Sequence, residues 1–303
     1  MSWLIKVPSS TSNLGAGFDS IGLALNLYLE LKITRADEWE FIPASACLEG
    51  IPKGKDNLVY EIAEKVAKQY SMDKELPSCS VEMKSEIPLA RGLGSSATAI
   101  IAGIELANVL LDLKLSKDEK LQIATDIEGH PDNVAPSLLG GCVVGHYDGK
   151  VSYTQIPVKG VTFIAVIPDF ELKTKDARAV LPKEFSYKES VQASSVANVS
   201  VAAICSGNWK LLGEMMEKDY FHQPYRKSLI PHYDELYDYL SQEAYGVFLS
   251  GAGPTMIAVV DDKNVFNAVK QWRKDYPNYQ WLSLQVENTG VYVETEKEVI
   301  QQD

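Results

Sequence analysis

The run Pro88-Leu89-Ala90-Arg91-Gly92-Leu93-Gly94-Ser95-Ser96-Ala97-Thr98 places two glycines, two serines and the start of an apolar periodic stretch in immediate succession. Such a run can hold an anion. Gly92 and Gly94 let the backbone take left-handed φ values and approach a ligand closely, and a hydroxyl at Ser95 or Ser96 can cap the helix that follows. Ile100, Ile104, Ala107 and Leu111 recur at helical spacing beyond it. The helix would then aim its unpaired N–H groups and positive dipole end at the bound group, which suits phosphate. Ordinary helix capping with no ligand is the competing account, and the run alone does not separate the two. It lacks the GKS or GKT ending of a P-loop, and its glycines stand too close for a dinucleotide GxGxxG.

Other segments are dense in polar groups. Glu128-Gly129-His130-Pro131-Asp132-Asn133 sets two carboxylates, an imidazole and an amide at the predicted end of a helix, where Pro131 enforces the break. A plain helix stop would use the same residues. Neither an HExxH spacing nor a paired cysteine supports a metal on His130. The run Pro8 to Gly22 is polar and glycine-punctuated after an apolar strand, and reads as a loop able to carry function. Within it Asp19 can accept from a substrate amine, and Asn13 can donate or accept. Ser250-Gly251-Ala252-Gly253-Pro254-Thr255 joins two predicted strands and can gather N–H groups into an anion nest, or be a glycine hairpin. Arg178 and Arg226 lie in polar stretches where a solvated surface charge is the ordinary outcome.

The scaffold for these groups is bounded by composition. With 303 residues, 46% hydrophobic and 23% charged, the chain is long enough for two domains with separate cores and a cleft between them. A formal charge of −12 without clustered Lys and Arg argues against nucleic acid and for a small substrate. Cys47, Cys79, Cys142 and Cys205 form no CxxC pair, and Met-Ser-Trp-Leu-Ile-Lys-Val-Pro is too short of apolar residues for a signal peptide. Reduced thiols and a cytoplasmic location are expected, and no membrane partner is. Ala97 to Leu113, the longest apolar stretch, is broken by Glu105, Asn108 and Asp112.

Strand and helix patterns alternate in an α+β layout. Strands are predicted at Trp3 to Val7, Tyr28 to Ile33, Glu38 to Ile42 and Cys79 to Lys84, with helices at Asn57 to Tyr70, from Ser96, and at Lys117 to Glu128. A hairpin of Cys142 to Tyr147 with Tyr153 to Ile156 closes a first domain, residues 1–157. The second, residues 158–303, reads as a strand (Val161 to Ile167), helices near Lys188 to Ser206, Trp209 to Lys218 and Tyr233 to Leu240, strands Gly246 to Leu249 and Met256 to Val260, a helix Asn264 to Lys274, and a strand within Trp281 to Val293. That order is ferredoxin-like.

Four ordered segments, PSSTSNLGAGFDSIGLAL, PLARGLGSSAT, EGHPDNVAP and LSGAGPT, resemble the GHMP small-molecule kinases, and within them the branch that phosphorylates L-homoserine. The resemblance covers nearly the whole chain. It implies a two-domain GHMP kinase fold, with an N-terminal ribosomal-protein-S5-domain-2-like domain binding ATP and a C-terminal ferredoxin-like domain. It also implies transfer of the ATP γ-phosphoryl group to homoserine in threonine biosynthesis, and a homodimer. By family analogy Pro88 to Thr98 form the ATP phosphate loop, and Ser96 and Glu128 hold Mg²⁺. Asn13, Asp19, His130, Asn133, Arg178 and Arg226 surround the substrate, Asn133 and Arg178 taking part in catalysis. Another small alcohol as acceptor, or a nucleotide-binding sensor without turnover, are the alternatives.

Overall fold

The computed structural model describes residues 2–71, 75–263 and 265–296. Two long strands, β1 (Ser2–Asn13) and β2 (Gly17–Arg35), pair antiparallel from Ser2 opposite Thr34 to Asn13 opposite Gly17. Then follow β3 (Glu40–Pro43), α1 (Leu58–Tyr70), β4 (Cys79–Ser85), α2 (Ser95–Leu111), α3 (Lys117–Glu128), α4 (Pro131–Leu139), β5 (Cys142–Tyr147) and β6 (Val151–Ile156). The helices start where local chemistry lets them. Asn57 caps α1 through Val59 N–H at 3.0 Å, and Ser116 with Glu119 forms a capping box on α3.

Two expectations for this half are corrected. The polar run after Val7 is not a surface loop: through Asn13 it continues β1, and Ser9, Ser10, Thr11, Ser12 and Asn13 are all buried. Burial is tolerated because side-chain hydrogen bonds satisfy these residues, as in Thr11 Oγ1 with Ser250 Oγ at 2.7 Å. Second, Pro131 begins a helix as well as ending one. It occupies the first turn of α4, where its missing N–H costs nothing, and Val134, Ala135, Leu138 and Leu139 bury the face behind it.

The second half runs β7 (Val161–Ile167), α5 (Thr174–Ala179), α6 (Tyr187–Ser206), α7 (Trp209–Met216), α8 (Gln223–Arg226), α9 (Tyr233–Ser241), β8 (Gly246–Leu249), β9 (Met256–Asp261), α10 (Val265–Asp275), β10 (Gln280–Leu284) and β11 (Tyr292–Glu296). The predicted helix start at Asn264 lies outside the described residues. The sheet order β10-β7-β9-β8, all antiparallel, is the ferredoxin-like arrangement. Alternate strand residues face two cores. Phe163, Phe248 and Val259 join the large core shared with the first sheet, while Ile164, Val247 and Val260 pack with Leu236, Leu240 and Trp272.

Two strands stand where one was expected near the end of the chain. After β10, β11 returns to the first sheet and pairs with β1, Ser2 opposite Glu296. The order of that sheet is β11-β1-β2-β4-β3, with β5 and β6 on the far end of β2. The chain therefore crosses between its halves twice, and the junction is cross-braced by backbone pairing.

Candidate functional site

The end of β1, the loop before α2, the start of α4 and the β8–β9 turn meet at one place. Ser250 Oγ donates to Gly92 O at 2.6 Å, and Asn13 Nδ2 donates to Gly251 O at 3.1 Å. Asn13 itself lies at φ +75° and Asp19 at +54°. An asparagine accepts this conformation when its amide bonds locally, and here Oδ1 takes the Asp19 N–H at 3.1 Å.

Gly94, at φ +73°, is the N-cap of α2, and no side chain caps the helix. Ser95 and Ser96 thus sit inside the first turn, which corrects the expectation that one of them caps. A Cβ on Gly94 would lie 2.3 Å from Ser10 Oγ and 2.9 Å from Ser10 N, and one on Gly92 would lie 2.3 Å from Ser250 O. The glycines exist because neighbouring backbone occupies the space a side chain would need. Gly94→Ala is expected to cost roughly 2–5 kcal/mol, left-handed strain plus overpacking. Denaturant unfolding checks this; a midpoint equal to wild type would contradict the crowding.

Asn133, on α4, is fixed by the strand opposite: its Oδ1 accepts from Ser10 Oγ at 3.1 Å and its Nδ2 donates to Ser12 Oγ at 3.0 Å. Its neighbour Asp132, buried, meets His130 Nδ1 at 2.5 Å. From the second half α5 brings Arg178, which forms a two-pronged pair with Asp19 at 2.8 and 3.1 Å. The short helix α8 brings Arg226, buried, its Nε on Ala177 O at 3.1 Å and its Nη1 on Gly251 O at 2.8 Å. Both guanidiniums lie near the Phe18 ring, 5.5 and 5.2 Å from its centroid, and the buried His222 stacks on that ring at 5.5 Å.

The titrations follow from burial and crowding of charge. Burial and the neighbouring Arg178 charge push Arg226 down to about 10, so this guanidinium is short of negative charge. Burial raises Glu128 above the ordinary carboxyl range; His130 and Arg178 oppose the shift and Asp132 adds to it. For His130 burial favours the neutral ring, but the hydrogen bond to Asp132 and the charges of Asp132, Asp19 and Glu128 outweigh it, and the pKa rises above 6.5. A raised histidine contributes stability that is complete below its unfolded pKa and disappears as pH climbs through the folded one. The melting-temperature gap between wild type and His130→Gln is therefore expected to be widest below pH 6.5 and to shrink above it. A gap that widens with pH would refute this.

A cavity of about 270 Å³ collects the predicted residues: Asn13, Asp19, Glu128, His130, Asn133, Arg178 and Arg226, together with Ala90, Gly92, Gly94, Ser95, Ser96 and Ala97. Other residues of the Pro88–Thr98 run do not line it. Leu93 is buried in the core, Arg91 turns to Glu171 at 3.5 Å, and Leu89 and Thr98 line a second, mostly apolar cavity of about 270 Å³. That cavity shares Ser95 and Ser96 with the first and is walled by Leu48, Ile51, Pro52 and Leu58. Sequence reasoning missed it, as it missed Ser12, Phe18, Lys173 and Thr174 in the polar cavity. Only the clustering of hydroxyls at Ser9 to Ser12 was a usable signal for the strand part.

The donors present suit a hard cation. Ser96 and Glu128 offer oxygen to the same cavity, and among the described residues the Glu128 carboxylate makes no hydrogen bond or ion pair. Asp19, His130 and Asp132 also bring ligand atoms within 4.8 Å of one another. They are poorer ligands for Mg²⁺, since Arg178 takes both Asp19 oxygens and His130 contributes nitrogen and binds Asp132.

Comparison with known proteins places these motifs in context. Residues 57–141 match the family described as GHMP kinases N terminal domain, and residues 200–278 match GHMP kinases C terminal. The chain is 50% identical to a homoserine kinase of Halalkalibacterium halodurans, over 95% of this chain and 94% of that one. It is 46% identical to a homoserine kinase of Bacillus velezensis, over 97% and 95%. The solved homoserine kinase from Cytophaga hutchinsonii superposes with a TM-score of 0.83 at 27% identity, 97% of each chain covered. The Methanococcus jannaschii mevalonate kinase, at 18% identity and a TM-score of 0.71 over 93% of this chain and 98% of that one, shares the fold.

Proposed function

The chain belongs to the GHMP kinases, on their homoserine kinase branch, and from that premise we propose that its two joined cavities hold ATP and L-homoserine for phosphoryl transfer. The product is O-phospho-L-homoserine, an intermediate of threonine biosynthesis. The arrangement of Asp19, Arg178 and Arg226 beside the glycine loop carries this reading. Homoserine is a zwitterion, and Asp19 suits its ammonium while the two guanidiniums suit its carboxylate. In the free site Asp19 and Arg178 hold each other, so substrate exchanges one ion pair for two. A sugar or mevalonate has no ammonium for Asp19.

The remaining residues take roles fitted to their positions. The N–H groups at the start of α2 and the glycine loop receive the phosphates of ATP, and the apolar cavity beyond Ser95 and Ser96 receives the base. Ser96 and Glu128 are the residues we assign to Mg²⁺, which when bound neutralises charge between the phosphates. Asn133, held by Ser10 and Ser12, presents its amide to the reacting hydroxyl. His130 and Asp132 support that amide from the same helix start, Asn133 Nδ2 also reaching Asp132 Oδ1 at 3.4 Å. Phosphoryl transfer asks the protein mainly for positioning and electrostatic stabilisation, and these groups supply both.

No helix among the described residues is long and apolar enough to cross a membrane. A homodimer working in the cytoplasm completes the proposal. The test is ADP release by purified protein with ATP and Mg²⁺ across homoserine, mevalonate, galactose and no acceptor. Release is expected with homoserine alone. Release with mevalonate but not homoserine would overturn the substrate, and ATP binding without release under any acceptor would favour a sensor.

A further inference from the structure

We propose that a groove between α8 and α9 binds a small organic cation carrying two or more ammonium groups, at a site separate from the kinase cavities. The groove holds about 580 Å³, the size of a small-ligand pocket of roughly 300–1,000 Å³ and far too roomy for a bare ion. Four carboxylates line it, from Glu217, Asp219, Asp234 and Asp238, against the single cation of Lys227. One ammonium is already seated there: Lys227 Nζ pairs with Asp234 at 2.9 Å. Asp219 is occupied by the backbone N–H groups of Phe221, His222 and Gln223. The side-chain carboxylates of Glu217 and Asp238 have no hydrogen-bond or ion-pair partner among the described residues.

A second, independent observation points to a ligand. Tyr233 is 7% exposed and lines the groove, yet among the described residues its hydroxyl has no hydrogen-bond partner. Its ring stacks on Tyr237 with centroids 5.9 Å apart and planes 20° apart. Burial, then the charges around them, pushes both hydroxyls up, so each stays protonated and keeps an oxygen lone pair for a donor. A hydroxyl oxygen without a protein donor and spare carboxylates are acceptors that an alkyl ammonium can use. Several carboxylates spread along one groove match several ammonium groups on one chain, and repel an amino acid's own carboxylate. The chain's net charge of −12 draws such cations toward it.

Isothermal titration calorimetry of the full-length protein tests this, with putrescine and spermidine at constant ionic strength and neither ATP nor homoserine present. A saturable heat is expected, weakened at least tenfold by Tyr233→Phe, which keeps the ring stack, and by Asp238→Asn, which changes an exposed side chain. Should Tyr233→Phe lower the melting temperature, Asp238→Asn carries the test alone. No saturable heat, or undiminished binding in the well-folded variants, would overturn the proposal. So would an equal heat from magnesium chloride abolished by the same substitutions, since that would make the site one for a bare metal ion.

Discussion

Arg226→Met is expected to lower kcat/KM for homoserine roughly thirty-fold to several thousand-fold while leaving KM for ATP nearly unchanged. The side chain is 2% exposed, and removing one partner of a buried charged pair costs about 2–5 kcal/mol. On the proposed assignment its partner is the substrate carboxylate, since Ala177 O and Gly251 O take Nε and Nη1 but carry no full negative charge. Burial and Arg178 hold its pKa at about 10 for that reason. In the ligand-free protein the substitution removes a poorly compensated cation and loses two hydrogen bonds, opposing effects of similar size. The melting temperature should stay near wild type. If KM for ATP rises as much as KM for homoserine, Arg226 serves phosphoryl oxygens instead of the carboxylate.

Glu128→Gln is expected to lower kcat by about 10²–10³ with much smaller changes in both KM values, as for loss of one group that stabilises transition-state charge. The metal requirement of the residual activity should rise as well. Because burial raises the Glu128 pKa in the metal-free protein, protons compete with the metal there, so the wild-type metal requirement should climb toward acid pH and the amide variant should lack this dependence. Stability moves the other way. A carboxyl with a raised folded pKa contributes stability below its unfolded pKa and loses it as pH climbs through the folded value, so the amide should make the folded protein more stable at neutral pH. A variant that is inactive and also less stable at neutral pH would mean that Glu128 holds the fold rather than the metal.

Both predictions rest on residues that differ in how legible they are. The glycine loop was readable because one of its requirements is local, Gly92 and Gly94 sitting at positive φ and leading straight into a helix, whereas the crowding by Ser10 and Ser250 was not. The polar segment after β1 was visible as unusual but misjudged in kind. A run of Ser, Thr and Asn has the composition of a loop, and only partners 121 to 239 residues away, Asn133 and Ser250, make it a buried strand. Pro131 was taken as a stop because proline ends helices, whereas at the first turn it also starts them.

The two arginines show the limit most clearly. Arg178 and Arg226 stand 159 and 207 residues from Asp19 and neighbouring positions of the first half, and nothing in their local sequence distinguishes them from surface charges. Resemblance of four motifs to a family singled them out; the fold brings them to one aromatic ring, Phe18, in one cavity. The apolar cavity beside Ser95 had no motif at all, since its walls come from α1, β2, β4 and the segment between β3 and α1.

By itself, then, the sequence determined most of the longer helices and strands, the ferredoxin-like order of the second half, the glycine loop that leads into α2 and the family to which its motifs belong. These depend on periodicity, glycine conformation and capping, which act over a few residues. Tertiary structure alone decided that β1 and β11 tie the two halves together, that Arg226 is a buried charge and Arg178 is bound to Asp19, and which hydroxyls hold Asn133. Those outcomes depend on desolvation and on distances between segments far apart in the chain, and neither quantity exists until the sheets have packed.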